Sequence, residues 1–432
     1  MNTGSISGTV TDPGASPLGN VQVCANSDST FNGSCSETTA DGTYSISGLA
    51  PASDYRVEFF DLSNVHSSQL FDGATNFGQA TLVAVVGGQD TSGIDAQLAL
   101  GGSISGTVTD SGNSPLVGIQ VCANSNSNSF GNCAQTDTDG TYTIGGLAGP
   151  GDYNVDFFDF SSVYVSEFFD DVTGFDLPTV VSVVAGQVTP NIDAQLEVAG
   201  SISGTVAGAG AGPLGGIQVC AFSDSGVGGN CSQTASDGSY SIGGLPAASD
   251  YRVDFTDFSN VYLFEFFDDS IDFFQATFVT VVGGQDTSNI DAELALGGSI
   301  SGMVTGAGVG PLAGIQVCAF SDAGFFGSCA QTSTDGTYSI GGLVTASDYR
   351  VDFSDNNNVY ASEFFDDVIG FGQATLVAVV GGQDTSGIDA ELALGGSISG
   401  MVTGAGAGPL GGIQVCAFSD SGLGGNLSLI HI

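Results

Sequence analysis

The chain has 432 residues, of which 41% are hydrophobic and 68 are Gly, and its 46 acidic residues against 3 basic ones give a formal net charge of −43. A surface with so few cations cannot displace counterions from phosphate, so the charge excludes nucleic acid and anionic membranes as partners. The glycine-rich composition and the absence of an apolar run long enough to cross a membrane exclude a helical, disordered or membrane-inserted chain. We therefore predict an all-β protein.

The chain is a tandem repeat with a period of 98 residues, because the serines of a recurring SISG motif lie at Ser5, Ser103, Ser201, Ser299 and Ser397. A fixed long period is typical of repeat architectures, and a unit of this length can bury its own core. We expect self-sufficient domains joined by linkers of about two glycines. The predicted units are four complete repeats and a truncated fifth, at residues 1–100, 101–198, 199–296, 297–394 and 395–426.

The two ends of the chain are interpreted separately. The fifth repeat stops before its second cysteine, and the closing sequence LSLIHI (427–432) resembles a translated transposase adapter, so we interpret it as a non-native tail. We expect an internal part of a longer exported protein, in which Met1 is not the natural start and the export signal and flanking domains lie elsewhere. Residues after Gly395 should be poorly packed.

The strands of repeat 1 follow from alternation of apolar and polar residues. Residues 5–11 alternate, and they precede a second strand and a short third one that ends at Thr38. Later segments at 65–71 and 80–86 are predicted as strands, the second of them buried, and a final one closes the unit. About seven strands in fewer than a hundred residues predict a two-sheet sandwich. The inward side chains are predicted to be Ile6, Val10, Val21, Val23, Ala25, Tyr44, Ile46, Tyr55, Val57, Phe59, Ile94, Ala96, Leu98 and Leu100.

The motifs SISGTVTD, PLGNVQV, DGTYSISGL and YRVEF together resemble the carboxypeptidase regulatory-like domains and the related Cna-B-type repeats. The resemblance covers all four complete repeats and implies seven-stranded transthyretin-like (prealbumin-like, Ig-like) β-sandwiches. It also implies a stalk, a spacer or an accessory module of a prokaryotic surface or secreted protein. Many Cna-B-type domains carry an isopeptide bond between Lys and Asn, which this chain cannot form because it has no Lys.

Cysteines occur as one pair per complete repeat, always at the same spacing. Such pairs indicate local disulfides and an oxidising, extracellular compartment, and closing a loop of about 11 residues should stabilise each domain by about 2–3 kcal/mol. A zinc site is disfavoured, since it needs four ligands and each repeat offers two thiols with no nearby His. The predicted pairs are Cys24 with Cys35, Cys122 with Cys133, Cys220 with Cys231 and Cys318 with Cys329, which leaves Cys416 unpaired.

Catalysis finds no support in the residues. Positions related by the 98-residue period form a column of the aligned repeats. His66 occupies a column that holds Tyr in the other complete repeats, and His431 belongs to the terminal tail. Without a credible His or any Lys as general base, the many Ser and Asp residues provide no activated nucleophile. We therefore predict that the chain is not an enzyme.

An acidic cluster follows the Tyr column in repeats 2 to 4, and it could supply oxygen ligands to Ca²⁺. The alternative is a solvated strand end whose Phe residues enter the core. Repeat 1 has Gln69 and a Gly in place of two of the acids, while Asp137 and Asp139 are interpreted as a turn. Salt tolerance is a rival explanation of the acidic surface, and no other cofactor is predicted. The candidate calcium ligands are Glu167, Asp170, Asp171, Glu265, Asp268, Asp269, Glu363, Asp366 and Asp367.

Two further features bear on function. Arg56, Arg252 and Arg350 share a column, and each is expected to form a surface ion pair with an acid two residues later on its strand. The most variable segment, residues 27–34 and its copies, lies between the paired cysteines; we call it the clamped loop. A loop fixed on a rigid scaffold is a suitable place for recognition.

Two functional hypotheses remain, with a third that depends on domains outside the chain. The first is a non-catalytic extracellular stalk, in which four domains in file span roughly 130 Å. The second is an adhesin or carbohydrate-binding array that recognises a cell-surface or polysaccharide ligand through the clamped loops or the acidic cluster. The third is a set of accessory repeats of a secreted hydrolase.

Overall fold

The structure is a computed structural model that describes residues 2–127, 129–174, 177–321, 327–404, 408–410, 412–416 and 427–429. The described part consists of short strands and turns, which confirms the all-β prediction. Its helices are single 3₁₀ turns at Phe71–Gly73, Phe77–Gln79, Phe273–Gln275 and Phe371–Gln373. None of these described helices has the length and apolar character that crossing a membrane requires.

Within its described residues, repeat 1 contains nine strands that form two sheets. The strands are β1 (Gly4–Thr11), β2 (Val21–Ser27), β3 (Asn32–Glu37), β4 (Thr43–Leu49), β5 (Ala52–Asp61), β6 (Gln69–Leu70), β7 (Val83–Val85), β8 (Asp90–Thr91) and β9 (Ala96–Gln97).

Repeats 2 to 4 have the same order of elements among their described residues, except that repeats 3 and 4 have an additional two-residue strand after the first one. Repeat 2 contains β10 (Gly102–Asp110), β11 (Gln120–Ser125), β12 (Asn132–Gln135), β13 (Thr141–Leu147), β14 (Gly151–Phe158), β15 (Glu167–Phe168), β16 (Val180–Val183), β17 (Val188–Thr189) and β18 (Ala194–Leu196). Repeat 3 contains β19 (Gly200–Gly208), β20 (Gly212–Pro213), β21 (Gln218–Ser223), β22 (Gly229–Gln233), β23 (Ser239–Leu245), β24 (Ala248–Thr256), β25 (Glu265–Phe266), β26 (Val279–Val281), β27 (Asp286–Thr287) and β28 (Ala292–Leu294). Repeat 4 contains β29 (Gly298–Gly306), β30 (Gly310–Pro311), β31 (Gln316–Ser321), β32 (Gly327–Gln331), β33 (Thr337–Leu343), β34 (Ala346–Ser354), β35 (Glu363–Phe364), β36 (Val377–Val379), β37 (Asp384–Thr385) and β38 (Ala390–Leu392). Beyond them lie β39 (Thr403–Gly404), β40 (Gly408–Pro409), β41 (Gln414–Cys416) and β42 (Leu427–Leu429).

Two sheets face each other in repeat 1. The first sheet has the order β4-β1-β8, with β9 also pairing with β1, and the second has the order β3-β2-β5-β6, with β7 also pairing with β5. Because β8 and β9 follow one another along the same edge of β1, and β6 and β7 along the same edge of β5, several short strands share one position in a sheet. Repeats 2 to 4 repeat this topology, so the chain is a tandem array of β-sandwiches.

The core of each repeat lies between its two sheets. In repeat 1, Ile6 and Val10 of the first sheet are fully buried with Tyr55 and Phe59 of the second. The Phe59 ring meets the ring of Tyr44 edge-on, with centroids 6.0 Å apart. The alternation of inward residues along β1, β2, β4 and β5 is therefore confirmed.

A buried hydrogen bond joins the first sheet to the closing segment of the repeat. The Tyr44 hydroxyl donates to the carbonyl of Ile94 at 2.6 Å. Gly8 lies beside this carbonyl, and a Cβ at that position would come within 2.2 Å of the Ile94 oxygen, so only glycine fits. Tyr142, Tyr240 and Tyr338 make the same bond in the other complete repeats at 2.5–2.6 Å. Burial raises the pKa of the Tyr44 phenol, so the hydroxyl stays a donor at neutral pH.

The later strands of repeat 1 differ from the prediction. Within residues 65–71 only Gln69–Leu70 is a strand, because the preceding segment is a turn in which the Asp61 carboxylate accepts the backbone N–H groups of Ser63 and His66 at 2.9 and 2.8 Å. The strand predicted at 80–86 is limited to β7 and is only half-buried. Leu100 is 51% exposed and does not close the core; its backbone pairs with His66 instead.

The first and last strands of a repeat run parallel. Ser5 pairs with Asp90 and Thr11 with Gln97, so the closing segment travels in the same direction as β1. The chain therefore enters a domain at one end and leaves it at the other, about 26 Å away for a strand of this length.

Residues after Gly395 contrast with the complete repeats. Ile398 occupies the column of the fully buried Ile6 but is 87% exposed, and Cys416 is a free, exposed thiol. Much of the predicted truncated repeat (395–426) and of the tail, with His431, lies outside the described residues.

Replacing Tyr142 by Phe tests the buried hydrogen bond. The variant leaves the Ile192 carbonyl buried without its donor, so the free energy of unfolding of repeat 2 should fall by about 1–3 kcal/mol. Hydrogen exchange with mass spectrometry measures this, since peptides of repeat 2 should exchange faster while the other repeats of the same molecule serve as controls. Unchanged protection of repeat 2 would contradict the importance given to this bond.

Candidate functional site

The acidic cluster of repeats 2 to 4 is a tight turn at the end of a short strand. In repeat 2 the backbone N–H of Phe168 donates to the carbonyl of Val172 at 2.7 Å, which closes the turn. Asp170 and Asp171 within it have φ angles of 74° and 60°. Asp tolerates this left-handed region better than most residues, so the geometry of the turn explains why Asp occurs at both positions.

The glutamate that opens the cluster is buried. Glu167 lies opposite Phe157 in the sheet and is 8% exposed. Burial raises its pKa to about 7, and the negative charges of Asp171 and Glu197 add to the effect. Its Oε1 atom has no hydrogen-bond partner among the described residues. Glu265 and Glu363 repeat this environment, with pKa values raised by burial to about 7 and about 6.

The cluster does not gather its three carboxylates around one point. In repeat 2, Glu167 is buried whereas Asp170 and Asp171 are exposed at the tip of the turn. Among the described residues, no group of three or more His, Cys, Asp or Glu side chains is arranged to hold a metal ion. Calcium binding at the nine predicted residues stays a prediction, which a calcium-dependent rise in the melting temperature of repeats 2 to 4, with a smaller rise for repeat 1, would support.

Arg56 and Arg252 bind the clamped loops of their own repeats. Arg56 forms an ion pair with Asp28, and the Nη2 atom of Arg252 lies 2.7 Å from the Oδ2 atom of Asp224. Both aspartates belong to clamped loops, and not to the strand that was expected to supply the partner. The Arg252 side chain is also buried between aromatic rings, with its guanidinium carbon 4.0 Å from the Phe273 centroid. Stacking and charge together therefore fix the start of the loop to the sheet.

Repeat 2 replaces this ion pair with a pair of amides. Asn154 occupies the arginine column, and its Oδ1 accepts a hydrogen bond from the Nδ2 of Asn126 at 3.0 Å. Asn126 stands in the column of Asp28 and Asp224. The arginine column and the loop aspartate column both change to Asn in repeat 2, and this joint change was a sequence signal that the two positions are in contact.

Disulfides close the clamped loops at their bases. Cys24 and Cys35 are directly opposite each other on β2 and β3, with Cα atoms 4.1 Å apart. Among the described residues the disulfides are Cys24–Cys35, Cys122–Cys133, Cys220–Cys231 and Cys318–Cys329, which are the predicted pairs.

The clamped loop of repeat 2 contacts repeat 1. The Ser129 backbone N–H donates to the carbonyl of Thr75 at 2.8 Å, and the Ser129 hydroxyl accepts from the N–H of Phe77 at 3.0 Å. The Phe130 ring packs against the rings of Phe60 and Phe77, with centroids 5.8 and 5.7 Å apart. This loop is therefore part of the junction between repeats. The matching loop of repeat 4 lies partly outside the described residues.

His66 has a structural partner. Its Nδ1 lies 2.8 Å from the Oδ2 of Asp61, the carboxylate that also fixes the turn before it. Asp139 likewise accepts the N–H and the hydroxyl of Thr141, which makes it a turn residue as interpreted from the sequence.

The comparison with protein families gives one match. Residues 103–197 match the carboxypeptidase regulatory-like domain. Repeat 2 is a carboxypeptidase regulatory-like domain. Since repeats 1, 3 and 4 share its period, motifs and topology, the chain is a tandem array of domains of this type. None of the curated proteins matches the chain.

Solved structures similar to the chain include several bacterial proteins at low identity. The Bacillus anthracis TIE protein is 12% identical with a TM-score of 0.20, and the match covers 87% of this chain and 69% of that one. A streptococcal ancillary pilin is 11% identical with a TM-score of 0.26, covering 68% and 98%. The shaft pilin spaA from Lactobacillus rhamnosus GG is 12% identical with a TM-score of 0.23, covering 47% and 100%. Likenesses at this level do not identify a function.

Replacing Glu265 by Gln tests the cost of the buried carboxylate. A folded pKa of about 7 against an ordinary value of 4.5 means that folded repeat 3 holds a proton that the unfolded chain releases, so stability falls as pH rises from about 4.5 to 7. At pH 8 the variant should be more stable than the parent by about 1–3 kcal/mol, with little difference at pH 4. Differential scanning calorimetry measures the change.

The matched variant for this test is Gln69→Glu, which places the carboxyl in repeat 1. It should destabilise that repeat at pH 8 and much less at pH 4. An equal gain of stability by Glu265→Gln at both pH values would show that its charge is not responsible.

Proposed function

We propose that the chain is a non-catalytic stalk of an extracellular or cell-surface protein, in which β-sandwich domains follow one another with fixed junctions. The observation that carries the proposal is the bonding of the residue between repeats. The Gly101 N–H donates to the carbonyl of Val65 in repeat 1 at 2.9 Å, and the Gly101 carbonyl accepts from the N–H of Gly186 in repeat 2 at 3.0 Å. One residue is thus held by both neighbouring domains.

The other junctions between complete repeats have the same bonds. Ala199 donates to Val163 and accepts from Gly284, both at 2.9 Å. Gly297 donates to Val261 and accepts from Gly382, both at 2.9 Å. The linkers of about two glycines expected from the sequence are therefore bonded to the domains on both sides, which favours a stiff array over a flexible one.

Close packing of a second glycine supports the same conclusion. A Cβ on Gly145 would come within 2.4 Å of the Asn64 carbonyl oxygen in the preceding repeat, and one on Gly341 within 2.5 Å of the Asn260 oxygen. Gly243 faces Ser162 in the same way, with a Cβ contact at 3.1 Å. Repeat 1 has Ser47 in this column. Glycine thus stands where the turn of a preceding repeat approaches.

The topology and the disulfides suit a stalk outside the cell. The parallel first and last strands send the chain out at the far end of each domain, so four domains in file would extend roughly 130 Å. Local disulfides are typical of extracellular proteins. The adhesin hypothesis loses support at repeat 2, because its clamped loop is used at the junction with repeat 1.

Gly145→Ala tests whether the junction is fixed. The added methyl group should push the Asn64 turn away and break the Gly101 bond to Val65, so the Gly101 amide should exchange about tenfold faster or more while the domain cores keep their protection. Hydrogen exchange followed by NMR measures it. Ser47→Ala changes the same column where no preceding repeat is described and should leave exchange unchanged. Equal exchange of Gly101 in the parent and in Gly145→Ala would argue against a fixed junction.

A further inference from the structure

The clamped loop of repeat 1 is internally bonded and displays one aromatic ring at its tip. The Asp54 carboxylate accepts the Ser27 hydroxyl at 2.6 Å and the Ser29 backbone N–H at 2.8 Å, which fixes the start of the loop. Phe31 at the tip is 95% exposed and has a φ angle of 49°, a left-handed conformation that bulky residues rarely adopt. A fixed loop that holds a large apolar side chain in solvent indicates a contact surface.

The same loop in the next two repeats is seated on the preceding domain. In repeat 2, Ser129 bonds to the Thr75 carbonyl and the Phe77 N–H of repeat 1. In repeat 3, the Gly226 carbonyl oxygen is so close to Gly174 of repeat 2 that a Cβ there would come within 1.9 Å of it. The end of a domain of this type is therefore the surface that a clamped loop fits.

Repeat 1 offers the groups that repeat 2 uses for this contact. Phe31 occupies the column of Ser129, and the Phe31 backbone N–H has no hydrogen-bond partner among the described residues. Phe31 also stands one position before the column of Phe130, whose ring packs on Phe77 at the junction. A backbone donor and an aromatic ring are thus available on the loop of repeat 1.

The end of repeat 4 displays the complementary groups. Ile369 and Phe371 stand in the columns of Thr75 and Phe77. The Ile369 carbonyl and the Phe371 N–H have no hydrogen-bond partner within the described part of the chain, and the Phe371 side chain is 54% exposed. The Arg350 guanidinium carbon lies 4.6 Å from the centroid of the Phe371 ring, which places a positive charge where an acidic loop would approach.

We propose that the clamped loop of repeat 1 binds the end of repeat 4 in a second copy of the chain, so that stalks join end to end. In this contact the Phe31 N–H donates to the Ile369 carbonyl, and the Phe31 ring packs on Phe371. Because the two surfaces differ, the contact is heterologous, and each pair of copies keeps one loop and one end for further copies. The stalk proposal does not depend on it, since that proposal concerns junctions within one chain.

Sedimentation velocity of the full chain tests the proposal. About 1 M NaCl screens the repulsion between acidic copies, and chain concentrations up to about 1 mM are used because so small an interface binds weakly. Cys416 is blocked with N-ethylmaleimide in every sample, so that this exposed free thiol links no copies covalently. The weight-average sedimentation coefficient should rise with concentration, and Phe31→Ser should weaken the association about tenfold or more.

Phe258→Asn is the matched control for Phe31→Ser. Phe258 is 71% exposed in the middle of the array, and repeat 4 has Asn356 in its column, just as repeat 2 has Ser129 in the column of Phe31. The control should leave the association unchanged. Equal weakening by both substitutions would mean nonspecific contact between exposed rings and would overturn the proposal, as would a full chain that stays monomeric at every concentration.

A mixture of two variants tests the direction of the contact. Phe31→Ser keeps the end of repeat 4 intact, and Phe371→Ala keeps the loop of repeat 1 intact. Each variant alone should be monomeric, while an equimolar mixture should form dimers. A mixture that stays monomeric would rule out the pairing of loop with end. Circular dichroism confirms that each variant is folded.

Discussion

The parallel pairing of the first strand with the closing segment is the constraint on which the rest of the array depends. Along β1, the backbone N–H of Ser5 and the carbonyls of Ser7 and Thr11 bond to the closing segment, while the alternate residues bond to β4. Gly8 allows the closing segment to approach, and Tyr44 holds it there through the Ile94 carbonyl. Because the two strands run the same way, the end of one domain lies far from its beginning, and the next domain starts at the opposite end.

Many of the aspartate carboxylates accept hydrogen bonds from nearby hydroxyl and backbone N–H groups. Asp90 accepts the hydroxyls of Ser5 and Ser7, both at 2.6 Å, and Asp95 accepts the backbone N–H of Thr9 at 2.7 Å. Accepting these hydrogen bonds lowers the pKa of Asp90. The ionised carboxylate therefore contributes to folding stability above its ordinary pKa, and this contribution is lost as pH falls through the lowered value. The buried glutamates of repeats 2 to 4 are the opposite case, since burial raises their pKa. Aspartates on turns and sheet edges therefore have structural partners, whereas the buried glutamate of each cluster is a cost to stability.

The sequence predicted the parts of the fold that depend on local pattern. The period of 98 residues, the inward faces of β1, β2, β4 and β5 and the cysteine pairs follow from spacing alone. The segment around Asp61 was missed because its turn is built by one carboxylate that accepts the backbone N–H groups of Ser63 and His66, which alternation of apolar and polar residues does not reveal. The loop partner of Arg252 was also missed, since strand neighbours were considered first. Two signals were available: Asp28 and Arg56 both become Asn in repeat 2, and Gly145 becomes Ser47 in repeat 1.

The junctions were not predicted because contacts such as that of Gly101 with Val65 join residues of different repeats, which the pattern within one repeat does not reveal. Gly101 resembles a flexible linker in the sequence, yet it is bonded to Val65 on one side and Gly186 on the other. Small-angle X-ray scattering of the full chain in solution tests the central claim, that these bonds make the four complete repeats one stiff array. The account predicts a rod-like profile with a maximum dimension of roughly 130 Å or somewhat more. A broad distribution of shorter dimensions, as independent domains on free glycine linkers would give, would contradict it.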